Sequence, residues 1–174
     1  MDRASEEGYL EITRFLVERG AAVSSPNEKG WTPFHKASLR GHVHIIKFLL
    51  GSGVDIDVRN GKEGTPLTLA SGSGKLDVVH FLINNGADIH ARNYDNSSPL
   101  QSQSGHVDVV QLLIGAGIAV DVRNSAQKTP LALTSSEGQV KVSRCLIERG
   151  ADINARDNEF GSPTPSLRDT VTWT

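Results

Sequence analysis

The chain has 174 residues, a formal net charge of −2 and a single cysteine. That balance gives no bulk attraction to nucleic acid or to an anionic membrane, Cys145 alone excludes an intrachain disulfide, and no run of 18 apolar residues is present to span a bilayer. Aromatic residues make up only 5%, as expected where small helical units pack through Leu, Ile, Val and Ala. Met1-Asp2-Arg3-Ala4 opens no signal peptide, so the expected compartment is reducing and intracellular, cytoplasmic or nuclear. The glycosylation acceptor pattern Asn96-Ser97-Ser98 is then expected to go unused.

Two markers recur in phase along the chain. Thr32-Pro33-Phe34 is followed 33 residues on by Thr65-Pro66-Leu67 and another 33 on by Ser98-Pro99-Leu100; Thr129-Pro130-Leu131 follows after 31, and Ser162-Pro163 after 33. Gly20, Gly53, Gly86, Gly117 and Gly150 follow the same spacings, 33, 33, 31 and 33, each after an apolar run. Both series break in one place, so two residues are missing between Ser98 and Gly105. A period of this length marks stacked supersecondary units.

The first unit, about 1–26, is incomplete. Gly8 aligns with Gly41, so Met1 falls where Phe34 falls, inside a repeat, and a fragment or shortened gene product is expected. A helix is predicted over Tyr9 to Arg19, with Ile12, Phe15, Leu16 and Leu10 on its apolar face, and an end of this kind leaves apolar surface uncapped. The second unit, about 27–59, is the most complete. Thr32 supplies an N-cap hydroxyl, Pro33 suits the first helical position, and Gly41 stops a helix over Thr32 to Arg40. A second helix follows over His42 to Leu50, and Asn60-Gly61 is a two-residue hairpin signal.

The third unit, about 60–92, has a weaker first helix, with Thr68 where His35 stands in the second unit and Gly72 just before Gly74. The fourth, about 93–123, carries the deletion. Two residues are about 200° of helix, so a short, irregular first helix is expected over Pro99 to Ser104. The fifth, about 124–156, recovers the period with a second helix over Val140 to Glu148. Cys145 takes the apolar position of Phe15, Phe48, Phe81 and Leu112 and reads as a core residue. A partial unit over 157–163 and a loose tail over 164–174 end the chain.

Thr32-Pro33-Phe34-His35-Lys36-Ala37, together with Gly86-Ala87-Asp88-Ile89-His90-Ala91 and Gly150-Ala151-Asp152-Ile153-Asn154-Ala155, resembles the ankyrin repeat signature from about Ala4 to Pro163. The resemblance implies an all-α solenoid of helix-turn-helix units with β-hairpin-like finger loops. It implies binding of another protein along the concave side, at the finger tips and the exposed face of the first helices. Carried over by register, the candidate partner-binding residues are Glu28, Lys29, Trp31, Arg40, Lys62, Tyr94, Asp95, Lys128 and Glu137. Leu39, Gly72 and Ser73 fall on the same face, and His35 is expected to bond its neighbouring turn. The alternative is a structural segment of a longer array, or the recognition part of a multidomain protein, stacking or self-associating through its incomplete ends.

No catalytic signature is present. There is no Cys-x-x-Cys, His-Glu-x-x-His, Gly-x-Ser-x-Gly, phosphate loop or dinucleotide fingerprint. No enzyme activity, cofactor, metal or nucleic-acid partner is expected. His42-Val43-His44 lacks the further ligands that a metal site needs. Asp55, Asp57, Asp88, Asp121 and Asp152 recur with the period and read as structural or solvated acids near turns.

Overall fold

The computed structural model describes residues 1–101 and 105–158. The described residues hold nine α-helices and no strand: α1 (Asp2–Glu7), α2 (Leu10–Glu18), α3 (Pro33–Arg40), α4 (Val43–Gly51), α5 (Pro66–Gly72), α6 (Leu76–Asn84), α7 (Val107–Gly115), α8 (Pro130–Ser136) and α9 (Val140–Glu148). The expected tail over 164–174 and the end of the irregular first helix, residues 102–104, lie outside the described residues. Within them, 99–101 form a turn.

The sequence signals act where they stand. The hydroxyls of Thr32, Thr65 and Thr129 accept the N–H groups of His35, Thr68 and Ala132, and the following prolines take the first helical position. Gly41, at φ 91°, closes α3 with its N–H on Ala37 O. Helix α3 packs between α1 and α5. Leu49, Leu82, Leu113 and Leu146, at one register position of the second helices, are all 0% exposed. Burying such a leucine contributes about 2 kcal/mol, and their repetition makes one core that runs through the stack. Cys145 is buried next to Leu146, deeper than the larger side chains at its register position, Phe48, Phe81 and Leu112, which are partly buried.

The start of the chain differs from the sequence expectation. A first helix, α1, forms over Asp2–Glu7 with Met1 at its N-cap. On α2, Thr13 is the buried residue, whereas Ile12 and Phe15 stay about half exposed, at 49% and 52%. Ile45, the register partner of Ile12, is fully buried and Phe48, that of Phe15, is partly buried, because α4 has packed helices on both sides, whereas α2 has one only, α4, among the second helices. The apolar stripe read from the sequence is real, but half of it is uncovered.

One register position of the first helices, filled by Asp2, His35, Thr68, Gln101 and Ala132 in turn, faces the loop ahead, and three of these side chains reach it. His35 Nδ1 accepts the Thr32 N–H at 3.1 Å, and its Nε2–H donates to Val58 O at 3.0 Å. This is the neighbouring-turn bond expected of His35. Gln101 fills the same register position and does the same work: its Oε1 accepts the Ser98 N–H at 3.0 Å, and its Nε2–H₂ donates to Val122 O at 3.1 Å and Lys128 O at 2.8 Å. At that position in α1, Asp2 accepts from Asn27 Nδ2 at 3.0 Å. Thr68 bonds only backward, to Thr65.

Two tests follow from this bond. The Gln101 amide makes three hydrogen bonds, to the Ser98 N–H, to Val122 O and to Lys128 O, the last of which also takes the Asn124 N–H. Gln101→Ala, which removes all three, should lower stability by about 2 kcal/mol in urea unfolding, and Gln101→His should recover most of it. Burial holds the His35 pKa below its ordinary 6.5, against the opposing backbone bonds at Val58 and Gly64. The unfolded chain therefore takes up the proton first. His35 contributes its full stability above about pH 6.5 and loses it as pH falls from there toward its folded pKa. His35→Gln should flatten the acid side of the stability curve between about pH 7 and pH 5; equal losses in parent and variant would contradict this.

Candidate functional site

The loops between helix pairs are fingers closed by asparagine. Asn27, Asn60, Asn93 and Asn124 each accept, on Oδ1, the N–H groups two and four residues ahead, at 2.9–3.1 Å. Their own N–H groups bond the carbonyls of Trp31, Gly64, Ser97 and Lys128. Asn60 thus sits at the base of a five-residue loop and not at the tip of a two-residue hairpin, because its side chain is spent on closing the loop. The left-handed residue that the loop needs is Gly30, Glu63, Asn96 or Gln127, at φ 73°, 60°, 55° and 60°. Successive fingers stack: Tyr94 N–H donates to Lys62 O at 3.1 Å and Ser125 N–H to Asp95 O at 3.0 Å. Gly30 and Gly61 lie against one another, so that a Cβ on Gly30 would fall 2.5 Å from Gly61 N.

The periodic acids are structural. Both Asp57 oxygens accept the Asp88 N–H at 3.1 Å, and the Asp121 carboxylate accepts the Asp152 N–H. Burial pushes the Asp57 carboxyl up, against the lowering effect of that bond. Arg59 and Arg123 reach across to the carbonyls of Arg92 and Arg156, at 2.6 and 2.7 Å. His42 and His44 donate through Nε2 to Glu6 O and Gly8 O, at 2.9 and 3.1 Å. Their rings therefore tie α4 to α1.

Between the fingers and the first helices lies an open groove of about 360 Å³, lined by Trp31, Leu39, Lys62, Leu69, Thr68, Gly72 and Asn93 among others. Two small residues make it. Thr68 stands where a longer His35 or Gln101 side chain crosses to the next finger, and Gly72 stands where α3 carries Leu39. The Trp31 ring is half-buried, with Lys36 Nζ 5.2 Å from its centroid and the edge of His35 6.1 Å away.

The nine candidate residues separate. Trp31 and Lys62 meet in the groove. Glu28 and Lys29 are exposed on the first finger, and Tyr94 and Asp95 on the third, where Tyr94 is 78% exposed. Arg40 is already engaged: its Nη2 lies 2.7 Å from Glu6 Oε1, and Lys36 Nζ is 3.2 Å from Glu6 Oε2. Hydrogen bonds from Arg40 and Lys36 hold the Glu6 carboxyl below its ordinary range. Lys128 is half-buried beside the Gln101 amide, and Glu137, exposed at the end of α8, accepts from Gln139. Neither lines the groove. The sequence reading missed Thr68, Leu69 and Asn93 in the lining, and it missed Glu6. A search for positions where a repeat carries a smaller residue than its neighbours would have found the first.

No helix among the described residues is long and apolar enough to cross a membrane. Capped helix pairs, stacked fingers and an open groove along one face define a helical repeat solenoid. The model of the family described as ankyrin repeats (three copies) matches residues 1–93 and 94–157, and the chain belongs to the ankyrin repeat family. No curated protein matches it. Ankyrin repeats are in general protein–protein interaction modules, and proteins built from them are typically non-catalytic.

The Gly30–Gly61 contact carries a direct test. Gly30→Ala forces a side chain into a left-handed backbone and into Gly61 N, and should cost about 1–3 kcal/mol of stability in denaturant unfolding. Gly53→Ala, at φ 86° but with open space around its Cβ, should cost only the left-handed penalty, about 1–2 kcal/mol. Equal losses would contradict the close packing of the fingers.

Proposed function

We propose that the chain binds another protein, without catalysis, through the face formed by the fingers and first helices, with the groove beside Trp31 at its centre. The observation that carries this reading is the groove itself: an open, largely apolar trough with one aromatic ring, Trp31, and one lysine, Lys62, in its wall. Trp is among the residues that most often anchor interfaces, and a platform held by stacked fingers loses little entropy on binding. The units read from the sequence, about 27–59, 60–92, 93–123 and 124–156 between partial ends, are the frame for this face. A reducing compartment suits the lone buried thiol of Cys145.

A second reading rests on a different observation. Tyr9, Ile12 and Phe15 present apolar surface at the first helix pair, 55%, 49% and 52% exposed, and a stack continued there by further repeats or a second copy would cover it. In that case the solution mass rises with concentration.

The test uses capture from a lysate by the parent chain, by Trp31→Ala with Tyr94→Ala, and by Gly72→Leu, which fills the groove with the residue that α3 carries at the same register. The variants should keep the parent's thermal midpoint and lose the partners that the parent captures. Partners retained by both variants would move the site off this face.

A further inference from the structure

Resting on that reading, we propose that the groove takes an extended segment of a partner protein in which one bulky apolar side chain is flanked by Asp or Glu. The apolar part follows from the walls. Leu39, Leu69 and Trp31 surround the notch that Gly72 and Thr68 leave. A trough of about 360 Å³ is ample for one leucine or aromatic side chain, since a closed cavity of ~150 Å³ takes up benzene.

The acidic part follows from the donors. Lys62 is the one charged side chain in the groove wall. Its Nζ has no partner among the described residues, and neither has the indole N–H of Trp31. Both groups donate and cannot accept, so they ask for carboxylate or carbonyl oxygen. On α3, next to Trp31, Lys36 and Arg40 share the single carboxylate of Glu6, which leaves one positive charge in excess. The other nearby acids are already balanced: Glu63 faces Arg59 at 3.5 Å, and Glu28 stands beside Lys29 on the first finger. On the next finger Asp95 follows Tyr94, whose N–H bonds Lys62 O, and from there to Glu137 the sign reverses. The acidic residues of the segment therefore belong at the Trp31 end, with the apolar side chain over Gly72.

The experiment is a selection of short random peptides displayed on phage against the full chain, followed by affinity measurements on the winning sequences as synthetic peptides. The winners should carry a Leu, Phe, Ile or Trp with Asp or Glu on either side. Their affinity should fall at least about tenfold on Lys62→Glu and several-fold on Lys62→Gln, fall on Gly72→Leu, and weaken with added salt. Thermal midpoints of all three variants check that each is folded. Winners without acidic residues, or indifferent to Lys62→Glu, overturn the proposal. If those winners are still lost on Trp31→Ala with Tyr94→Ala, the binding face stands and only its acid preference falls. Winners indifferent to every variant on this face overturn both. An empty selection, or an oligonucleotide that displaces the winners at equal concentration, overturns the acidic-peptide assignment.

Discussion

The structure depends on one hydrogen-bonded bridge, made from the first helix of a pair to the finger ahead of it. An inward carbonyl at the base of a finger must find a donor, and the helix supplies it from its first turn. His35 does so to Val58 O and Gln101 to Val122 O and Lys128 O, while Asp2 takes the converse role and accepts from Asn27. Because Thr32 and Ser98 also bond those side chains through their N–H groups, the cap that starts the helix fixes the bridge as well. Local structure and the contact between neighbouring pairs are thus specified by the same four residues.

Where the bridge is missing at Thr68, an opening appears beside it. Thr68 is too short to cross, and it closes on Thr65 instead. The space that an imidazole or an amide would fill remains open and joins the gap over Gly72. A repeat protein can place a binding groove in this way without any change of fold, by shortening two side chains in one unit while its neighbours hold the backbone in place. The flanking bridges at His35 and Gln101 keep the walls fixed, so that the groove is preformed.

Much of the fold was legible because its signals are local and repeated. The Thr-Pro caps, the glycine stops and the apolar runs each act within one turn of chain, and α9 spans the residues read from the sequence, Val140–Glu148. Substitution within the register was harder to read. Gln101 does not resemble His35 in charge or ring chemistry, but it carries an acceptor and a donor at similar reach, and the bridge needs only that. Asn60-Gly61 misled because the dipeptide preference concerns backbone dihedrals, whereas here the Asn60 side chain decides the loop. The face of the candidate site was legible, since register alone places Trp31 and Lys62 together. Its centre was not: the groove exists through two absences, at Thr68 and Gly72, and Glu6, which shares the charge of Lys36 and Arg40, lies more than 25 residues away in the chain. Pairings of that kind are set by stacking and leave no local pattern.

The most direct test of the account is amide hydrogen exchange at the bases of the fingers. The N–H groups of Asn60 and Gly64, Asn93 and Ser97, and Asn124 and Lys128 make the same two bonds in three successive loops. Only the middle loop lacks a side-chain bridge from the helix behind it. After correction for intrinsic rates, Asn93 and Ser97 should exchange roughly tenfold faster than the other four, the worth of about one hydrogen bond. Equal protection in the three fingers would contradict the claim that this bridge holds the fingers and that its absence makes the groove.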